Sequence, residues 1–239
     1  MPKFKPCLIL LFCLGNLFVQ AQNQHSGWLA SFNTIGLNHK WSLHFDAQLR
    51  STDELRNIQT LLLRPGINYH FAKNMTATLG YAFIYNRKTV EETTGYTAEH
   101  RIWEQFLISH KWQTVTTTHR FRLEQRFLPV SAVRNTELEV TDYVTAHRLR
   151  YFIRNLLPLQ NSQAFTKGFF LALQYEVFLN TGNKKAVNGK TFDQNRFYAA
   201  LGYRIHKIDL EAGYLNQYTK TATGANKNHI AQIAVYKRL

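Results

Sequence analysis

Arginines and carboxylates recur at every second position in several stretches of this chain, as in Arg120, Arg122, Glu124 and Arg126. Alternate positions share one face of an extended strand, so each such row sets guanidinium forks beside carboxylates and amides. Projected in this way, one polar face carries His44, Asp46, Gln48 and Arg50; Arg101, Trp103 and Gln105; Arg120, Arg122, Glu124 and Arg126; Arg148, Arg150 and Arg154; Gln174 and Glu176; Gln194, Arg196 and Arg204; and Asp209 with Glu211. A guanidinium offers five donors in a rigid fork and bridges several acceptors at once, and pairing relieves the cost of burying its charge. The main expectation is therefore a polar network that fills and closes whatever space these rows surround. Arginine outnumbers the acids Asp46, Glu124, Glu176, Asp209 and Glu211 in the same rows. That excess supports an alternative, in which the space admits small anions or holds a carboxylate or phosphate ligand.

Two other chemistries find less support. Acyl transfer requires a nucleophile, a base within hydrogen-bond reach and an oxyanion site. Ser42, His44, Asp46, His100, Ser109 and His110 supply the residue types, but Ser42 and His44 share a face as strand alternation often arranges, and Ser109 and His110 point to opposite faces. No GxSxG motif is present. A lipid acyl-modifying enzyme ranks third, and no catalytic residue is assigned. His39, His44, His100, His110, His119 and His147 are scattered, with only His44 and Asp46 at a spacing that brings a carboxylate near, so neither metal nor cofactor is expected.

The elements that must position these rows are strands. From Trp28 onward no segment sustains a helical period, whereas Trp41, Leu43, Phe45, Ala47 and Leu49 alternate strictly with polar residues. The same period runs through Leu61, Leu63, Ile67, Tyr69 and Phe71, through Met75 to Tyr85, and through Phe169 to Leu179. Eleven strands are expected, near 28–37, 41–50, 57–71, 75–87, 99–112, 115–128, 141–154, 167–180, 192–205, 208–218 and 228–238. Strands in globular sheets average about 5 to 6 residues, while a tilted strand crossing a bilayer needs about 9 to 11, and these match the second class. In a membrane barrel the apolar face points to lipid and the polar face lines the interior, with aromatic girdles at both interfaces. Trp41, Tyr69, Phe71, Tyr85, Trp112 and Phe127 suit such girdles.

Short turns near 38–40, 72–74, 113–114 and 206–207 alternate with longer polar segments at 51–56, 88–98, 129–140, 181–191 and 219–227. In outer-membrane barrels short turns face the periplasm and long loops the exterior, which places the C-terminus in the periplasm. The connection 155–166 departs from this pattern by being long on the periplasmic side. Single-chain bacterial barrels have even strand numbers. Eleven therefore implies a first strand outside the wall or an unrecognised twelfth, for a range of ten to twelve.

Residues 1–21 read as a cleavable leader: Lys3 and Lys5, an apolar stretch from Cys7 to Val19, and a small-residue site at Val19-Gln20-Ala21. The barrel domain is expected over 22–239. Cleavage would remove both cysteines, Cys7 and Cys13, which excludes disulfides from the remainder. The net charge of +14 stays strongly positive without the leader. Its basic residues are dispersed over alternating positions and accompany no recognition motif, so nucleic acid is not an expected partner.

Several stretches taken together, WSLHFDAQLR at 41–50, EHRIWEQ at 99–105, HRFRLEQRF at 119–127, HRLRY at 147–151, QNRFYAALGY at 194–203 and EAGYLNQY at 211–218, resemble the DUF2490 family of outer-membrane barrels found chiefly in Bacteroidetes. The resemblance implies an all-β, antiparallel, up-and-down transmembrane barrel in the bacterial outer membrane, with lipid as its surroundings. The family supplies no activity, so small anions remain the one ligand class that the residues suggest, and protein partners are unspecified.

Overall fold

A computed structural model of the protein describes residues 22–52, 54–160 and 165–239. The leader expected over 1–21, with Cys7 and Cys13, lies outside them. The alternation that begins at Trp41 forms strand β2 (Trp41–Thr52), exposing Trp41, Leu43, Phe45 and Leu49 while burying Ser42, Asp46 and Gln48. The same rule builds β1 (Gln22–Gly36), β3 (Asn57–Ala72), β4 (Met75–Val90), β5 (Thr93–Trp112), β6 (Val115–Arg134), β7 (Glu137–Pro158), β8 (Lys167–Thr181), β9 (Phe192–Ile205), β10 (Ile208–Lys220) and β11 (Ala225–Arg238). Successive strands pair antiparallel, and the eleven close into a barrel.

Closure resolves the odd strand count without adding or removing a strand. An up-and-down chain with an odd number of strands brings its first and last strands together pointing the same way. Here β1 and β11 pair in parallel, from Gln22 opposite Asn226 to Thr34 opposite Arg238. The barrel is thus mixed rather than purely antiparallel, and among the described residues no strand lies outside the wall. The geometric consequence is that the start of β1 and the C-terminus occupy opposite ends. One end carries Leu239, which accepts a bond from the Gly36 amide, with the turns at 37–40, 73–74, 113–114 and 206–207. The other carries the start of β1 and the turns at 54–56, 91–92, 135–136, 182–191 and 221–224.

Two of the expected loops are strand instead. Segments 88–98 and 129–140 continue β4 into β5 and β6 into β7 around two-residue turns, so both hairpins extend past their neighbours. Glu91 and Glu92 at the first turn, and Asn135 and Thr136 at the second, all take positive φ, the twist-compatible geometry of tight hairpins. Their polar composition suggests loops, although Leu138 and Val140 alternate with Glu137 and Glu139 in the second. The 182–191 segment does remain a loop, with a short 3-10 turn at Lys184–Ala186.

Interior packing mixes charge with large rings. Trp103 is buried against Leu62, Ala82 and Ile84, and a second cluster joins Trp28, Phe170, Tyr198, Leu215 and Ile230. Two glycines admit these rings: a Cβ on Gly80 would lie 2.3 Å from Trp103, and one on Gly202 would lie 2.2 Å from Phe170. Large apolar side chains cover the outside, among them Leu43, Ile67, Leu79, Ile102, Phe121, Leu171, Leu201 and Ile233. Rings gather toward both ends of this face, where Trp41 meets Tyr69 at 4.9 Å and Tyr85 stacks on Tyr96 at 5.2 Å. Glu104 is an exception on the outer face, receiving a hydrogen bond from Gln125 at 3.1 Å.

Candidate functional site

Alternation turns the polar row of each strand inward, and the closed wall then brings rows from distant parts of the chain into contact. Glu124, on β6, is 1% exposed and organises the densest part. Its Oε2 accepts from Arg148 Nη2 at 2.6 Å and Nε at 2.9 Å, while its Oε1 accepts from Arg150 Nη1 at 2.5 Å. Arg150 reaches on to Glu176 at 2.7 Å, and Arg120 shares the same Glu176 oxygen at 2.7 Å. Arg148 extends to Asp193 at 2.8 Å. Arg101 contacts Glu124 at 3.4 Å and holds Glu99 at 2.7 Å, where Arg126 also donates at 2.7 Å. One connected lattice therefore spans β5 to β9.

Separate groups lie elsewhere around the wall. Asp46 meets Arg64 at 2.5 Å and His44 Nε2 at 3.0 Å. Arg154 pairs with Glu211, and Arg204 holds Asp209 through two bonds, at 2.6 and 2.8 Å, with Arg238 adding two more at 2.9 and 3.0 Å. Gln105 accepts from Arg122 at 2.6 Å, and Gln48 accepts from Arg50 at 2.7 Å. Arg196 has neither an ion pair nor a hydrogen bond among the described residues. It lies over Trp28 at 5.0 Å and Phe178 at 4.8 Å.

Four members of this network were absent from the projected rows. Arg64 had the right parity on β3, between the outward Leu63 and Pro65, so its place was readable. Glu99 sits two positions before Arg101 on the same face, at the expected first residue of the strand. Arg238 is the last residue of β11 and pairs across the end of the wall. Asp193 carries no such signal: the β8–β9 register shifts between Phe178 and Leu179, passing from Gln194 to Phe192, and this irregularity lets a residue of outward parity reach Arg148.

A cavity of about 560 Å³ remains inside the barrel. It reaches Thr34, Lys237 and Arg238 at the end that carries the C-terminus, and Asp46 and Glu176 are the carboxylates among its lining residues, against many arginines. Among the described residues, none in the turns at the opposite end borders it. On the β5–β9 side, the pairs of Glu99 with Arg101 and Arg126, of Arg148 with Asp193, and of Asn180 with Asn188 stand between cavity and turns.

Ser42 meets a histidine outside the candidate set. Ser42 contacts His70 rather than His44, with Oγ 2.9 Å from Nε2, and His70 Nδ1 lies 3.0 Å from Thr76 Oγ1. Asn68 donates to Ser42 and accepts from Thr78, completing a ladder across β2, β3 and β4. Ser42 is 2% exposed and does not border the cavity, and a threonine stands where an orienting carboxylate would be needed. His110 stacks on His119 on the outer face, at 5.3 Å. Among the described residues no group of three or more histidine, cysteine or acidic side chains is placed to hold a metal ion.

Fold and site together define an all-β, closed eleven-stranded barrel that is apolar outside and charged within. The profile of a family described as protein of unknown function, DUF2490, matches residues 25–228, and the chain belongs to that family. Neither a curated protein nor a solved structure matches the chain.

Proposed function

We propose that this protein is a bacterial outer-membrane barrel, delivered by its leader, whose interior is closed to through-flow by the arginine–carboxylate lattice. The observation that carries the reading is the inside-out distribution of side chains. Exposed Leu, Ile, Phe and Tyr cover the outer wall while Arg, Glu and Asp are buried inside. A water-soluble barrel would gain by the reverse arrangement, and contiguous exposed apolar surface on this scale is not tolerated in water. The chain has strands of 12 to 22 residues, long enough to cross a tilted span. Closure is supported on the β5–β9 side, by the pairs that stand between the cavity and the turns at the end opposite the C-terminus.

The test is reconstitution. The protein should fractionate with outer membranes, migrate differently on a gel before and after boiling, and give no sustained current in planar bilayers. A soluble periplasmic product would sink the membrane reading. The cationic cavity favours a second reading, a small-anion pore, and a steady anion-selective current would replace closure with that reading.

The parallel closing pair yields a topological prediction. With the C-terminus in the periplasm, a tag at the start of β1 and one in the 221–224 turn should both bind antibody on intact cells. A C-terminal tag should bind only after the outer membrane is permeabilised. Protection of both terminal tags on intact cells would mean that β1 and β11 do not run in parallel through the membrane.

A further inference from the structure

We propose that the barrel interior contains an oxyanion-binding site between Arg50 of β2 and Arg196 of β9, with Trp28 of β1 as its wall, and that it takes a small carboxylate or phosphate. These strands are remote in sequence and meet only because the barrel closes. Both guanidiniums lie over the same indole, Arg50 at 3.9 Å and Arg196 at 5.0 Å from its centroid. Two like charges therefore share one ring. Neither arginine forms an ion pair among the described residues, although nearly every other interior arginine has a carboxylate. Arg50 gives one bond to Gln48, and the Nε atoms of both Arg50 and Arg196 are buried without a partner.

Both residues border the 560 Å³ cavity, which has room for a small anion together with water and reaches the end of the barrel at Lys237 and Arg238. The nearby carboxylates are already engaged: Glu176 holds Arg120 and Arg150, and Asp46 holds Arg64. Unpaired buried donors are costly, and a bound oxyanion would accept from both forks while relieving their mutual repulsion. The indole contributes a ring to which both guanidiniums are drawn, which holds the two forks near one another beside the cavity. A neutral ligand of the same size would leave the charge uncompensated, so recognition rests on the oxyanion itself. The same chemistry is offered by free phosphate, a dicarboxylate or a phosphorylated headgroup.

The site requires a cavity open at the C-terminal end but not a barrel sealed at the other. A protein that conducts yet binds phosphate through these residues would overturn the closure and leave the site standing. Titration calorimetry on the folded, detergent-solubilised full barrel, with inorganic phosphate, succinate and a short-chain phosphatidic acid as separate probes and chloride as background, reads it directly. Saturable binding of at least one probe is expected, weakened about tenfold or more in Arg50→Gln and in Arg196→Gln, the scale of one charge-assisted hydrogen bond. Arg196→Lys should recover part of the loss, because it keeps charge without the fork. Phosphate or succinate binding alone identifies a free anion, and phosphatidic acid binding alone identifies a headgroup. Retained heat-modifiable mobility shows that each variant is folded; should either glutamine variant misfold, the Lys variant and quenching of Trp28 fluorescence by the probes, read against Trp28→Phe, decide the matter. No saturable binding to the wild type, or equal binding in folded Arg50→Gln and Arg196→Gln, overturns the proposal.

Discussion

Replacing Glu124 by alanine is expected to destabilise the folded barrel by about 3–5 kcal/mol, the scale measured when one partner of a buried ion pair is removed. The carboxylate takes three bonds of 2.9 Å or less from Arg148 and Arg150, and a fourth, longer contact from Arg101. Without it, Arg150 keeps Glu176 and Arg148 keeps Asp193, but both lose their main acceptor. Glu124→Gln should lose less, since it keeps the shape and one accepting oxygen while discarding the charge. The exposed pair of Arg134 and Glu139, 3.9 Å apart, provides the contrast. Glu139→Ala should change stability by about 0.5 kcal/mol or less, as surface pairs do. The midpoint of the gel-mobility transition on heating, compared across the three variants, measures this order. A Glu124→Ala barrel as stable as Glu139→Ala would mean that the lattice does not hold the wall together.

Gly80→Ala is expected to cost about 1–3 kcal/mol, because it overpacks a site that has no slack. The added carbon would meet Trp103 at 2.3 and 2.5 Å and the Pro65 carbonyl oxygen at 2.7 Å, with backbone on one side and a buried indole on the other. A Cβ on Gly66 would lie 3.2 Å from the same ring, and Arg122 lies over that ring at 4.3 Å, so the indole cannot withdraw without disturbing its neighbours. The diagnostic is the pairing of changes. Trp103→Leu alone leaves a void, yet combined with Gly80→Ala it should be less harmful than the sum of the two, by about 1 kcal/mol. Denaturant midpoints for the four proteins of that cycle test it, and strict additivity would show that the glycine is not there to seat the ring.

Most of the strand plan could be read from alternation alone. A period of two assigns each residue to a face, so Leu43 and Phe45 on one side and Asp46 and Gln48 on the other follow without any tertiary contact. The same logic placed Arg122 with Glu124, and Arg148 with Arg150, on inner rows. Alternation was silent where the backbone breaks step. Asp193 reaches Arg148 because the β8–β9 register shifts beside it, and such an irregularity leaves no mark in the order of polar and apolar residues. The hairpin ends at 88–98 and 129–140 look like loops by their polar composition, and the short alternation of Leu138 and Val140 with Glu137 and Glu139 is the one local sign of strand there.

Local residue order thus determined which side chains face in and which face out, since that depends on neighbours one and two positions away. Ring closure decided everything that depends on which strands meet. The parallel meeting of β1 and β11, the contact of Ser42 with His70 instead of His44, and the presence of Arg50 and Arg196 on one indole all follow from wall geometry. So does the charge balance. The chain showed more arginines than acids, but only the folded wall, by bringing carboxylates from β2, β5, β6, β8, β9 and β10 within reach of particular guanidiniums, decided which arginines are left without one.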